Sequence, residues 1–268
     1  MHRANKRSAG DVSFVKDHTM RMLRQTFAIL LLAVGVCLGA AQAQQAPDDE
    51  DIFARTLDEA SPYYYPSLMM RYRAGDTTLT ATDYYYLYYG YAFSENYRPL
   101  RPIKAEDDML AVLERINQDS IRYEDMEAVI RCADEVMRSD PFSPRNLNFL
   151  VYAYGAIGDT LNERINYDRL TKVLATIGAS GTGRSEKSPL HVLRFEHAAD
   201  WLAARGKTVL KRLVVSRSAE YVTVANEQGR PESKGYYFDF SRVFRHPEEM
   251  PKQKQRWQIN DIPLEKNQ

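Results

Sequence analysis

The sequence predicts an α+β fold, with helical hairpins first and a small antiparallel sheet packed on them last. Three observations carry this. Apolar residues recur at helical spacing from about residue 50 to residue 178. After Leu190 the period shifts toward two, in segments rich in Val, Tyr and Phe. Proline and glycine punctuate the periodic runs closely enough that consecutive helices must be antiparallel neighbours joined by short connections.

Composition agrees with an ordinary globular chain: 268 residues, 44% apolar, 11% aromatic, 36 basic and 36 acidic side chains. Six of the basic and two of the acidic residues lie in 1–43, leaving 30 and 34 over 44–268. That acidic balance argues against a nucleic-acid binder held through phosphate contacts.

Residues 1–43 read as a signal peptide. Arg21 and Arg24 precede an apolar run from Phe27 to Ala41, and Ala41-Gln42-Ala43 gives the small-x-small pattern of a cleavage site, so the mature chain is expected to begin near Gln44. The run is shorter than the roughly 20 residues that span a bilayer. No transmembrane span is therefore expected after cleavage. Residues 1–19 are long and weakly basic for such a segment, which leaves Met20 or Met22 open as the start. Cys37 follows Val36 rather than the small residue a lipoprotein signal needs, which favours a soluble exported protein, periplasmic or secreted. Cys132 is then the one remaining thiol, read as inert and partly buried, and it excludes an internal disulfide or a cysteine-based metal cage.

In chain order, Ile52, Phe53, Leu57 and Ala60 predict a short helix between Pro47 and Pro62. Eleven of the 18 tyrosines then fall between Tyr63 and Tyr97. Pro66 opens a helix through Met69, Met70 and Tyr72 that Gly75 closes, and Thr80 with Asp83 makes a capping box for Tyr84–Tyr91. Met109, Val112, Leu113 and Ile116 form one stripe; Met126, Val129, Ile130, Ala133 and Met137 form another, stopped by Asp140-Pro141. Ser143-Pro144 caps a helix with Leu147, Leu150, Val151 and Tyr154 on one face, and a helix over 161–177 follows Gly158. His197–Ala204 reads as a short helix closed by Gly206. Strands are expected over Val209–Val215, Tyr221–Ala225 and Tyr236–Phe240. The predicted organisation is one α+β domain over 44–248, helical over 50–178 and mixed or β over 190–244, with a polar tail over 249–268.

With Pro141 as the closing proline of a repeat of about 34 residues, Leu147, Leu150, Tyr154, Gly158 and Tyr167 fall where a tetratricopeptide repeat places its large, large, Tyr, Gly and aromatic positions. Glu163 and Leu170 depart from that pattern, so the stretch resembles one repeat packed into a larger globule. The Tyr-rich block, GTGRSEKSPLHVL (181–193) and KGYYFDFSRVF (234–244) together resemble the exported bacterial domain-of-unknown-function family 4919, found mainly among Bacteroidetes. The resemblance implies an exported α+β domain in a Gram-negative envelope. It brings no catalytic residue with it.

Gly178 to Ser185 has the spacing of a phosphate-binding loop with Arg184 for the lysine, but a helix precedes it where that motif needs a strand. A glycine-rich helix terminator explains the same residues. His191, Glu196 and His197 form an alternative polar site, yet their spacing matches neither arrangement of a zinc protease, and the predicted complement is no metal and no cofactor. No G-x-S-x-G elbow is present. The tyrosines are the stronger lead, since phenol rings stack on sugars and suit protein recognition. Tyr63, Tyr64, Tyr65, Tyr84, Tyr85, Tyr86, Tyr88 and Tyr89 are the candidate binding residues. Those of 84–91 circle nearly a whole helix, so some are expected to face outward. The leading expectation is an exported, non-enzymatic binding module for an envelope protein, its catalytic residues, if any, unknown. The rivals are an envelope hydrolase using His191, Glu196 and His197, and a glycan binder using the tyrosines.

Overall fold

The computed structural model describes residues 44–116 and 121–245. The expected signal peptide, His246 and the polar tail lie outside them. Eight helices, one 3-10 turn and a four-stranded sheet make up the described residues, an α+β architecture.

Helix α1 (Asp49–Leu57) starts where the Asp48 carboxylate accepts the N–H groups of Glu50 and Asp51, and its acidic first turn suits the positive end of the helix dipole. Helix α2 (Tyr65–Arg73) carries Pro66 in its first turn and buries Leu68, Met69 and Tyr72. Helix α3 (Ala81–Gly90) opens with the complete Thr80–Asp83 capping box and runs into the 3-10 turn Tyr91–Phe93. Helices α4 (Lys104–Leu113), α5 (Tyr123–Ser139), α6 (Pro144–Ala156) and α7 (Thr160–Ala179) follow, each of the last three near its expected stripe. Strand β1 (Leu190–His191) leads to α8 (Phe195–Ala203), then to β2 (Thr208–Val214), β3 (Ala219–Ala225) and β4 (Tyr236–Asp239).

The sheet runs β1-β4-β3-β2. Strands β2, β3 and β4 pair antiparallel, with Leu213 opposite Tyr221 and Tyr221 opposite Tyr237, as the alternating pattern predicts. The sheet as a whole is mixed, because β1 joins β4 in parallel, Leu190 opposite Phe238. Parallel neighbours need a long connection. Here α8 and the β2–β3 hairpin supply it, and two residues are too few to show their direction in sequence.

One buried cluster joins α1, α2 and α3 to Leu170, Val173, Leu174 and Ile177 of α7, to Trp201 and Leu202 of α8, and to Val222, Val224, Phe238 and Phe240 of the sheet. Helical and β regions therefore share a core. A second, smaller cluster fills the space between α4, α5 and α6 with Met109, Met126, Val129, Ala133, Phe149 and Leu150. Cys132 packs at its margin, partly buried, which pushes its thiol pKa up.

Candidate functional groove and the polar junction beneath it

The tyrosine helix is the centre of the molecule. Tyr84, Tyr86, Tyr88, Tyr89 and Tyr91 are each at most 7% exposed, so the expectation that part of this ring faces solvent is met by Tyr85 alone, and only in part. That expectation holds for a helix lying on a surface; α3 instead has α1, α2, α7 and the β1–α8 segment around it. The hydroxyls of Tyr86, Tyr88, Tyr89 and Tyr91 each reach a polar partner, so these rings are buried without stranding the OH. Tyr86 donates to Asp51 at 2.7 Å, Tyr89 to the carbonyl of His191 at 3.2 Å and Tyr91 to the carbonyl of Ser139 at 2.9 Å. Tyr85 is partly exposed and accepts the Asp48 N–H at 2.9 Å. Tyr63 stacks on Tyr86 with centroids 4.1 Å apart, and Tyr63, Tyr64 and Tyr65 are half-buried.

His191, Glu196 and His197 do not form one site. His197 is fully buried with both ring nitrogens engaged. The Leu193 N–H donates to the Tyr88 hydroxyl oxygen at 3.3 Å, which leaves the Tyr88 proton for His197 Nδ1 at 2.8 Å and assigns the His197 proton to Nε2, donated to Asp140 at 3.0 Å. Burial pushes the Asp140 carboxyl up, but His197 and Arg194 beside it more than offset this and hold it below its ordinary value. His191 belongs to a separate cluster. Its Nδ1 lies 3.4 Å from Asp239 and 3.4 Å from Arg242, and Arg242 also holds Asp49 at 2.6 Å. Arg245 pairs with the other oxygen of Asp49. The Asp239 carboxyl, raised by burial and lowered further by hydrogen bonds from His191 and Ser241, comes down to about 2. Glu196 faces Arg194 at 3.6 Å, half-exposed.

The glycine-rich loop serves packing. A Cβ on Gly181 would lie 2.0 Å from the Pro189 carbonyl oxygen, so only glycine lets the two backbones pass. Arg184 stacks over the Tyr236 ring at 4.2 Å and donates to its hydroxyl at 3.0 Å, far from the role of a phosphate-binding lysine. Among the described residues no three of His, Cys, Asp and Glu group as a metal ion would need.

What the structure opens to solvent is a groove that sequence reasoning missed. A recess of about 650 Å³ between the 95–105 segment and the end of α5 adjoins one of about 530 Å³ between α2 and the same segment; Glu95, Asn96 and Arg138 line both. One end is apolar, with Met69, Met70, Tyr65 and Tyr91. The other carries Arg98, Arg101 and Lys104. The segment between them is fastened from below. Arg194, 6% exposed, donates to the carbonyls of Arg98 at 3.3 Å and Arg101 at 3.5 Å. Tyr97 donates to the Leu193 carbonyl at 2.7 Å. Arg194 in turn lies 3.6 Å from Asp140, so the buried Tyr88–His197–Asp140 chain positions the groove's floor. Nothing in local sequence marks this: Arg98 and Arg194 are 96 residues apart.

An α+β protein with a tyrosine-filled helical core and an open groove over a buried polar junction is what fold and geometry define. The chain belongs to the family of the domain of unknown function DUF4919, whose family model matches residues 50–249. No curated protein and no solved structure matches it.

Proposed function

We propose that this protein is an exported, non-enzymatic binding module of the Gram-negative envelope, periplasmic or secreted and of Bacteroidetes type, that takes a protein partner in the groove between α2, the 95–105 segment and α5. The supporting observation is the groove's construction. Its exposed rim combines Met70, 67% exposed, with arginines that form no ion pair among the described residues, while its floor is fixed by partly buried hydrogen bonds, so little ordering remains to oppose binding. The α6–α7 hairpin, with Leu147 and Leu150 inward, keeps the tetratricopeptide-like spacing and belongs to the same reading. Among the described residues the tyrosine-borne glycan alternative has no comparable surface to support it, and neither has a hydrolase built on His191, Glu196 and His197.

Site-specific photo-crosslinking tests the proposal. A photoreactive residue at Met70 in cells of the native host is expected to give a discrete protein adduct, and one at exposed Gln228 is expected to give none. Equal labelling from both positions, or no adduct from Met70, would overturn it.

A further inference from the structure

The groove's lining also specifies what kind of segment it takes. Among the described residues Arg73, Arg98 and Arg101 form no ion pair, and all three line the groove. Lys104 and Arg138 are held only by exposed pairs, to Asp108 at 3.6 Å and to Glu135 at 2.9 Å, which water and salt weaken. A second observation is independent of charge. Tyr65 lines the apolar recess, and its hydroxyl is buried with no hydrogen-bond partner among the described residues. An unpaired buried O–H is a donor awaiting an acceptor.

Resting on the protein-partner reading above, we propose that the occupant is an acidic segment of that partner. Its carboxylates lie over Arg98, Arg101 and Arg73, one apolar side chain sits against Met69 and Met70, and an oxygen accepts from the Tyr65 hydroxyl once the occupant turns that side chain to bring it within reach. The carboxylates Glu95, Asp108 and Glu135 interleave with the cations along the groove, which repels a uniform polyanion such as nucleic acid or a sulfated glycan. The Met69–Met70 end suits an aliphatic side chain, which neither carries. A peptide alternates charge with apolar groups at the spacing this lining requires.

The test pans a random dodecapeptide display library on the full chain, with subtraction on the R98E/R101E variant. Both substitutions are at exposed positions, and an unchanged thermal melt checks the fold. Expected are sequences with two or more Asp or Glu beside an apolar residue. Their synthetic forms should bind at least tenfold more weakly to R98E/R101E and several-fold more weakly in 300 mM than in 50 mM NaCl. Tyr65→Phe should weaken the same peptides several-fold while leaving the free protein's melt equal or higher, a combination that a merely structural tyrosine would not give. Groove-dependent sequences that are neutral or basic would overturn the acidic occupant and leave the binding-module reading intact. A DNA or heparin oligosaccharide that outcompetes every selected peptide at equal charge would overturn the peptide assignment. Failure to recover any groove-dependent sequence would overturn the proposal, and crosslinking at Met70 would separately decide the broader reading.

Discussion

Tyr88 has a single hydroxyl and two neighbours that need it, the N–H of Leu193 and Nδ1 of His197. Tyr88→Phe leaves both buried and unsatisfied, and is expected to lower stability by about 1–3 kcal/mol. Tyr85→Phe removes a hydroxyl whose partner, the Asp48 N–H, can turn to water, and is expected to cost under about 1 kcal/mol. Urea unfolding midpoints compare the two, and equal losses would contradict the asymmetry. Asp239 sets a pH dependence. Its carboxyl is held down to about 2 in the folded chain against an ordinary 3.8, so its contribution is fully present above about pH 4 and fades as the pH falls toward 2. The wild type should lose about 2 kcal/mol across that window relative to Asp239→Asn, whose uncharged amide has nothing to titrate. Parallel slopes for the two proteins in acid denaturation would refute this.

At the scale of elements, the punctuation was legible. The Thr80–Asp83 box, Pro66, Ser143-Pro144 and the stop at Asp140-Pro141 act within one turn of chain, so their neighbours in sequence are their neighbours in space. The face of α3 was not legible, because which sides of a helix are covered depends on how many other elements surround it, and the tyrosine pattern is equally consistent with one or four. The direction of β1 and the pairing of His197 with Asp140, 57 residues away, are likewise set by tertiary packing. The glycine loop offers a sharp comparison. Gly181→Ala forces a Cβ onto the Pro189 carbonyl and is expected to cost about 3 kcal/mol or prevent folding. Gly229→Ala meets open space and bears only the strain of its positive φ, about 1 kcal/mol. Thermal unfolding of both variants checks the order, and comparable losses would mean that the loop yields where the geometry says it cannot.

Over the whole molecule, stability is unevenly distributed. The large core binds α1–α3, α7, α8 and the sheet through aromatic side chains that are almost wholly buried, whereas α4 rests on the small α5–α6 cluster with Leu110 of its own 59% exposed. Amides of α4 should therefore exchange with deuterium at lower opening free energy than those of α3 and α7. Uniform protection across all three would show that the two clusters open as one. The acidic balance of 44–268, invisible in the zero net charge of the full sequence, belongs to the same scale, since it leaves the cationic end of the groove a local exception.

The Asp49 pairs with Arg242 and Arg245 also bear on the order in which the chain is made. Translation produces Asp49 first and Arg242 193 residues later. Through that interval α1 is a nine-residue helix whose Asp49 lacks its arginines, shorter than the roughly 12–15 residues at which an isolated helix is even marginally stable in water. Helix α1, made early, is thus among the last of the described elements to be locked, and a chain released before Arg242 leaves it without that latch.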